Sequence, residues 1–371
     1  MLDRVRIASI VLAALGCAAC APAAFLPYRP DQPPTVTLPV ARAGVTDARP
    51  AFAATFAAEL SAAGDSRRLP WLHGIDREQP PAAVPAGLTA TFAARAASTS
   101  VLVVNGLFGD CLGAQAVPFG DGVERSPERN LVDSYKQYDE LGLRSIRLVA
   151  LPGRASSASN GRLLAEAIRE EAARPDVQRI VVVAYSKGVA DALHALAVLQ
   201  RDGGVPPKLT ALVSVAGAVM GSPLADFYQP AYEVVSPLVT PFDCTPSQGG
   251  DMASLTRRER TAWLAANPPP PGLAYYSIVA HAPLDEMAPP LRATARQLAA
   301  IDPRNDGQLI AADAMLPGST LLAEARADHW DVALPRDRAS NTMLRALTSG
   351  RSYPREALFK ATLKWVIAAG P

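Results

Sequence analysis

The chain has 371 residues, of which 49% are hydrophobic and 19% charged, a globular composition that excludes a disordered or collagen-like protein. Its 36 Lys and Arg residues balance 35 Asp and Glu residues, so charge gives no reason to expect nucleic acid or an acidic polymer as a partner. A chain of this length accommodates one large α/β domain or two smaller domains.

Residues 1–21 have the pattern of an export signal that ends in a lipid-attachment site. Arg4 and Arg6 precede an apolar run, residues 7–15, which matches a signal peptide in length and is too short to span a bilayer. The motif Ala-Leu-Gly-Cys that ends at Cys17 resembles a bacterial lipobox, with Ala where Leu is usual. The pattern predicts a lipoprotein that is held on a membrane through Cys17.

Two alternatives to this N-terminus remain open: lipidation at Cys20, and an ordinary cleaved signal with incidental cysteines. The residue after Cys17 is Ala18 rather than Asp. Resemblance to sorted lipoproteins then favours the outer membrane of a bacterial envelope, on its periplasmic or surface side, over the inner membrane.

The segment between this signal and the main domain divides into a tether and a helical extension. Residues 22–43 are Pro-rich and lack periodicity, which predicts an extended spacer. Residues 44–98 are predicted to form an N-terminal helical extension that packs on the main domain. Within it we expect a helix over 51–64 and a Pro-rich connector over 75–91.

From residue 99 to residue 371, short apolar runs alternate with helical stretches, which predicts a doubly wound, mostly parallel α/β sheet. The runs are rich in Val, Ile and Leu, as strands covered on both faces should be. The predicted strands are Ser100–Asn105, Ser145–Leu151, Arg179–Tyr185, Leu209–Ala216, Ala274–Ala280 and Ser319–Ala325. Helices are predicted over 160–173, 187–201 and 354–368. Residues 226–272 exceed what a connector needs and predict a short cap or lid.

The run Arg179–Tyr185 leads through Ser186 directly into a predicted helix. A nucleophile elbow needs this arrangement, because its serine has a strained backbone and small residues must lie two positions before and after it. Ala184 and Gly188 meet that requirement, although Gly is usual at the first position. Ser186 is therefore the predicted nucleophile, and a structural turn serine is the alternative.

A nucleophilic serine needs a base, and the chain has four histidines. His73 precedes the sheet and His194 lies within a predicted helix. His329 follows the last predicted strand, where the order serine, acid, histidine places the base, and it is preferred to His281, which follows a strand end.

Two carboxylates compete to orient that base. Asp306 lies in an Asn-Asp-Gly turn, which presents its side chain from a rigid backbone, whereas Asp285 follows the fifth predicted strand. Asp306 is favoured.

The first strand of the sheet ends in Asn105-Gly106-Leu107-Phe108-Gly109, a glycine-rich turn. Acyl transfer needs donors for the oxyanion. The backbone N–H groups of Leu107 and Lys187 are predicted to be those donors, since the two glycines let the turn point an N–H into the site.

Two cysteines, Cys111 and Cys244, lie in the exported part of the chain. An even number in an oxidising compartment favours a disulfide between them, and two separate buried thiols are the alternative.

Over roughly residues 98–368 these motifs resemble the bacterial triacylglycerol lipase branch of the α/β hydrolases. Asn105-Gly-Leu-Phe-Gly is similar to the family's His-Gly-x-x-Gly oxyanion loop, and Gly221-Ser-Pro-Leu-Ala-Asp226 is similar to its Gly-Ser-Pro-x-Ala-Asp stretch. Asn305-Asp306-Gly307 matches the acid turn, and His329-Trp-Asp331 resembles the His-x-Asp that closes the site. The resemblance implies an α/β-hydrolase fold and supports Asp306 as the acid.

The chain departs from this family at three places. Ala184 and Lys187 replace the usual elbow neighbours, and the cap is short for an enzyme that acts on fat droplets. The sequence shows no full set of calcium-binding carboxylates, although Asp251 and Asp331 could contribute to one. No metal or other cofactor is predicted.

The leading hypothesis is a lipid-anchored carboxylic-ester hydrolase that acts on an ester or lipid-like small molecule, without nucleic acid as a partner. An amidase or peptidase with the same triad is the first alternative, because one fold hosts both reactions. A non-catalytic envelope scaffold on a hydrolase fold is the second.

Overall fold

The computed structural model describes residues 44–64, 71–74, 83–110, 116–120, 135–237, 245–338, 345 and 348–371. The signal with Cys17 and Cys20, the whole tether, Cys111 and Cys244 lie outside these residues, and the predictions made for them remain predictions. In the part of the chain that is described, no helix combines the length and the apolar character needed to cross a bilayer.

Within the described residues, seven strands form one sheet whose neighbours all pair in parallel. They are β1 (Thr46–Asp47), β2 (Thr99–Val104), β3 (Ser145–Val149), β4 (Arg179–Tyr185), β5 (Leu209–Val215), β6 (Ala274–Ala280) and β7 (Thr320–Ala325). Their order across the sheet is β1-β7-β6-β5-β4-β2-β3. The predicted α/β class with a parallel sheet is confirmed, and β2 to β7 lie within two residues of their predicted bounds.

Nine helices accompany this sheet in the described ranges. They are α1 (Arg49–Ala62), α2 (Leu88–Ala96), α3 (Gln137–Leu141), α4 (Ser157–Ala173), α5 (Lys187–Arg201), α6 (Pro223–Val235), α7 (Arg257–Ala266), α8 (Leu291–Ala299) and α9 (Arg355–Ala369). One apolar cluster joins α4 and α5 to one face of the sheet, and a second joins α1, α2 and α9 to the other. The central strands between these layers are mostly apolar because both of their faces are buried.

Two features of the N-terminal region differ from prediction. The segment 75–91 was predicted to be a connector, yet α2 begins inside it at Leu88, after Gly87 in a left-handed conformation with φ 80°. Leu88, Phe92 and Ala96 lie four residues apart and bury one face of this helix. Strand β1 has no apolar pattern, and it forms only because its backbone adds to the edge of β7.

The predicted cap region, residues 226–272, contains α7 and all but the start of α6. The segment that enters this region lies against the segment that precedes α7, since Ser222 N donates to Leu255 O at 2.8 Å. Ser222 and Thr256 also cap α6 and α7, each accepting a backbone N–H at 3.2 Å. The starts of α6 and α7 therefore lie side by side.

Candidate active site

Ser186 occupies the sharp turn between β4 and α5, with φ 56° and ψ −126°. This conformation is strained for any residue with a side chain, and close packing around it holds the turn. A Cβ on Gly188 would lie 2.3 Å from Asn105 O, and one on Gly106 would lie 2.8 Å from Ser186 Cβ. The glycines thus let β2 and α5 approach the serine closely, as an elbow requires.

His329 connects Ser186 to Asp306. Its Nε2 lies 2.8 Å from Ser186 Oγ, and its Nδ1 lies 2.7 Å from Asp306 Oδ2. All three residues are buried, with relative exposures of 9% for Ser186, 2% for His329 and 1% for Asp306. An ionised Asp306 can only accept a hydrogen bond, so Nδ1 carries the ring proton and Nε2 is free to accept the serine proton.

The three residues meet because each follows the carboxyl end of a parallel strand. Ser186 comes directly after β4, and His329 comes shortly after β7. Asp306 lies near the end of β6, where Ala282 N donates to Asn305 O at 3.4 Å. Parallel strands end at the same edge of a sheet, which is where α/β proteins place their sites.

Backbone donors hold the Asp306 carboxylate in a fixed orientation. The N–H groups of Gln308 and Leu309 donate to Asp306 Oδ1 at 2.8 and 2.7 Å, which leaves Oδ2 directed at His329. The turn itself depends on Gly307, whose φ of 90° favours glycine. Asp306 O also accepts from His329 N at 2.9 Å, so the acid and the base are joined by backbone as well as side chain.

Sequence reasoning missed two residues that hold the His329 loop. The Tyr185 hydroxyl donates to His329 O at 2.6 Å, and burial raises the pKa of Tyr185 far above its ordinary value, so it stays a donor. The Asp328 carboxylate accepts from three backbone N–H groups, those of Ala288 at 2.7 Å, Trp330 at 3.0 Å and Asp331 at 2.9 Å. Each directly precedes a predicted catalytic residue in the chain, and this was the only signal in the sequence that could have identified them.

The remaining histidines have other partners. His73 and His281 stack with ring centroids 3.7 Å apart, and His73 Nε2 lies 2.9 Å from His281 O. His194 stacks on Trp263, and burial, with Arg260 and Lys187 nearby, lowers its pKa to about 3. Such an imidazole is a poor proton acceptor.

The competing acid, Asp285, lies in the exposed turn Leu284–Glu286. Its backbone carbonyl accepts from Arg292 Nη2 at 3.2 Å. The carboxylate that reaches His329 is that of Asp306.

The two predicted oxyanion donors flank Ser186. Lys187 begins α5, so its N–H has no partner within the helix, and Leu107 lies in the turn after β2. Within the described part of the chain, neither N–H donates to a protein acceptor. Gly106 separates β2 from Leu107 and lies against Ser186, which brings the turn to the nucleophile.

Asp331 is a buried carboxylate beside the His329 loop, and it predicts a pH-dependent stability. Burial, followed by the Asp328 carboxylate and Asp337, raises the pKa of Asp331 to about 7, against the lowering effects of the Ser349 hydroxyl and Arg355. The folded protein then binds a proton that the unfolded chain releases near pH 4, so this group lowers stability progressively as pH rises from about 4 to about 7.

We therefore expect Asp331→Asn to raise the melting temperature at pH 8 and to lose that advantage progressively toward pH 4. Each pH unit within the window is worth about 1.4 kcal/mol at most. Thermal unfolding of both proteins at several pH values measures the difference. A gain or loss of equal size at every pH would show that ionisation of Asp331 does not control stability.

No group of three or more His, Cys, Asp and Glu in the described ranges is arranged to hold a metal ion. The two carboxylates considered for calcium have protein partners. Asp251 Oδ2 accepts from the Tyr232 hydroxyl at 2.6 Å, and Asp331 accepts from the Ser349 hydroxyl.

A contact between residues next to Cys111 and Cys244 in the chain supports the predicted disulfide. Asp110 precedes Cys111, Thr245 follows Cys244, and Thr245 N donates to Asp110 Oδ2 at 2.9 Å. We expect the protein to form a Cys111–Cys244 bond in an oxidising compartment, which would contribute about 2–4 kcal/mol to its stability. Peptide mapping without reductant should show the linked peptides. Two cysteines that both react with maleimide in the folded, unreduced protein would contradict it.

No protein-family model matches the sequence, and no curated protein matches it significantly. Among solved structures, a metagenomic carboxyl esterase, MGS0156, is similar over almost the whole chain. It is 28% identical, the match covers 96% of this chain and 98% of that one, and the TM-score is 0.71.

Two further structures superpose less closely. The mature lipase BlEst2 from Bacillus licheniformis has 18% identity and a TM-score of 0.46, with 63% of this chain and 86% of that one covered. Lipase 1 from Pelosinus fermentans has 13% identity and a TM-score of 0.48, with 72% and 99% covered. With its parallel sheet, its elbow after β4 and its match to a carboxyl esterase over almost the whole chain, this protein has an α/β-hydrolase fold.

Proposed function

We propose that this protein is a carboxylic-ester hydrolase that works through an acyl-enzyme on Ser186. The observation that supports this most directly is the pair of contacts made by His329, 2.8 Å to Ser186 Oγ and 2.7 Å to Asp306 Oδ2, at a nucleophile elbow. The similarity to a carboxyl esterase over 96% of the chain supports the ester as substrate.

In this mechanism Ser186 Oγ attacks the ester carbonyl while His329 Nε2 takes the hydroxyl proton. The imidazolium that forms is stabilised by the Asp306 carboxylate, which keeps its own charge. The oxyanion of the tetrahedral intermediate accepts from the N–H groups of Leu107 and Lys187. His329 then gives its proton to the leaving alcohol, and a water activated in the same way releases the acid and restores Ser186.

The ester assignment is tested with two acyl series that differ only in the leaving group. Purified protein would be assayed on p-nitrophenyl esters and on p-nitroanilides of the same short to long acyl chains. Fluorophosphonate labelling would probe the activated serine without depending on the choice of substrate. We expect labelling at Ser186 and turnover of esters far above that of anilides. Labelling with preferential anilide turnover would instead make the protein an amidase, and absence of labelling and of turnover would make it a scaffold.

We also propose that the mature protein is anchored in the bacterial envelope by lipid on Cys17. Each buried methylene of an acyl chain contributes about 0.8 kcal/mol, so several chains hold a domain of nearly neutral charge without a basic patch. The Pro-rich residues 22–43 would then space the site from the membrane. We expect Cys17→Ser to leave the membrane fraction or to remain unprocessed. If Cys20→Ser leaves the membrane fraction and Cys17→Ser stays in it, the lipid is attached to Cys20. A wild-type protein in the soluble fraction would contradict the anchor altogether.

A further inference from the structure

The side chain of Lys187, directly after the nucleophile, is buried rather than solvated. It is 1% exposed, and its Nζ donates to both carboxylate oxygens of Asp191, at 2.8 and 2.9 Å. Asp191 lies one turn further along α5 and is itself 2% exposed. Because Asp191 neutralises the ammonium group, Lys187 offers the site no free cation. A role for this buried ion pair must therefore come from where it lies in the fold.

Asp191 extends this pair to a second helix. Its Oδ2 also accepts from Asn160 Nδ2 at 2.9 Å, and Asn160, in the first turn of α4, is 1% exposed. The same Asn160 amide donates to Pro152 O at 3.0 Å. A continuous set of hydrogen bonds thus runs from Lys187 on the elbow helix to the loop that precedes α4.

That loop packs directly against the turn that contains Leu107. Gly153 N donates to Asp110 Oδ1 at 3.0 Å. A Cβ on Gly153 would lie 2.6 Å from Gly109 N and 2.9 Å from Phe108 N, so the two backbones are in close contact. The network that begins at Lys187 therefore reaches the loop that contacts the residues next to Leu107.

Burying an ion pair is a poor way to stabilise a fold, because desolvation offsets most of the attraction and apolar side chains of similar size often do as well. Charge-assisted hydrogen bonds do, however, hold geometry more strictly than apolar contacts. This pair lies where the distance between two backbone donors decides how well an oxyanion is bound.

We propose that Lys187, Asp191 and Asn160 form a positioning network that sets the spacing of the two oxyanion donors, Leu107 N–H on one side and Lys187 N–H on the other. The inference rests on the proposed ester hydrolysis. These side chains touch no reacting atom; they act through the backbone of the elbow and of the Gly106–Gly109 turn.

The test compares Asp191→Asn and Asn160→Leu with Glu171→Gln. Glu171 is an equally buried carboxylate about three turns further along α4, paired with Arg147 at 3.2 Å and Arg174 at 2.9 Å, and it serves as the matched control. For each protein we would measure kcat and KM on a p-nitrophenyl ester, the melting temperature, and the Ki of a boronic acid that forms a tetrahedral adduct on the serine.

A misplacement of about 1 Å in a catalytic site costs up to about 100-fold in rate. We expect both network variants to lose about 10- to 100-fold in kcat with little change in KM, and to bind the boronic acid more weakly by a similar factor. Glu171→Gln should lower only the melting temperature. Asn160→Leu leaves the Lys187–Asp191 pair in place, so it reports on the network even if Asp191→Asn does not fold.

Folded network variants with wild-type kcat and Ki would overturn the proposal, as would a lower kcat with unchanged boronic acid binding. Either result leaves the proposed function standing, because the wild type is active in both. A wild type that neither turns over esters nor binds the boronic acid would overturn the proposed function and this inference together.

Discussion

Ser186→Ala is expected to reduce hydrolysis of a short p-nitrophenyl ester by about 10⁴ to 10⁶, the loss typical when a triad nucleophile is removed. The side chain contributes one contact in the described structure, 2.8 Å to His329 Nε2, and alanine keeps the Cβ that the elbow already accommodates. The fold should therefore persist, with a melting temperature close to that of the wild type. Initial rates on matched protein concentrations measure the effect.

Ser214→Ala is the matched control for this variant. Ser214 is fully buried in β5, and its Oγ has no hydrogen-bond partner within the described residues. Its replacement by alanine should leave the rate and fluorophosphonate labelling unchanged. Ser186→Ala activity within about tenfold of the wild type, in a folded protein, would remove Ser186 from the mechanism.

Asp306→Asn should lower kcat by about 10⁴, the effect of the same change in a serine-protease triad. Two backbone N–H groups donate to Asp306 Oδ1, so the oxygen of an asparagine is retained there and its amide nitrogen takes the Oδ2 position. That nitrogen donates to His329 Nδ1, so the ring proton moves to Nε2. A protonated Nε2 can no longer accept the proton of Ser186. The variant thus keeps the shape of the Asp306 side chain but places His329 in the wrong tautomer for catalysis.

Asp285→Asn provides the comparison for this prediction. Its side chain is exposed in the turn Leu284–Glu286, and replacing it should change kcat less than twofold. Single-turnover rates of the two variants, alongside their melting temperatures, separate chemistry from stability. A large loss in Asp285→Asn with a nearly silent Asp306→Asn would reverse the assignment of the acid.

The sequence by itself determined the parallel sheet and the position of its elbow. A strand covered on both faces is a nearly continuous apolar run, so Arg179–Tyr185 was recognisable with both of its bounds. The serine turn needs small neighbours at fixed positions, and Ala184 and Gly188 are visible without any tertiary contact. Such signals are local, because the apolar run and the small residues beside the serine lie close together in the chain.

Some helices left no comparable signal. Helix α6 contains Pro230, which disfavours a helix interior, and only its first three residues are buried, so neither local propensity nor core burial marks this segment as a helix. Its start depends on the Ser222 cap and on the contact of Ser222 with Leu255. Helices whose stability comes from caps and tertiary contacts cannot be read from periodicity.

Only the tertiary structure decided which distant residues meet. Order in the chain favoured His329 over His281 as the base, but it is the order of the strands in the sheet that brings His329, 143 positions from Ser186, to 2.8 Å from it. The Lys187–Asp191 spacing is visible in the sequence, yet its burial and its link to Asn160 depend on how α4 packs on α5. Contacts between elements depend on the path of the whole chain, and no local pattern encodes that path.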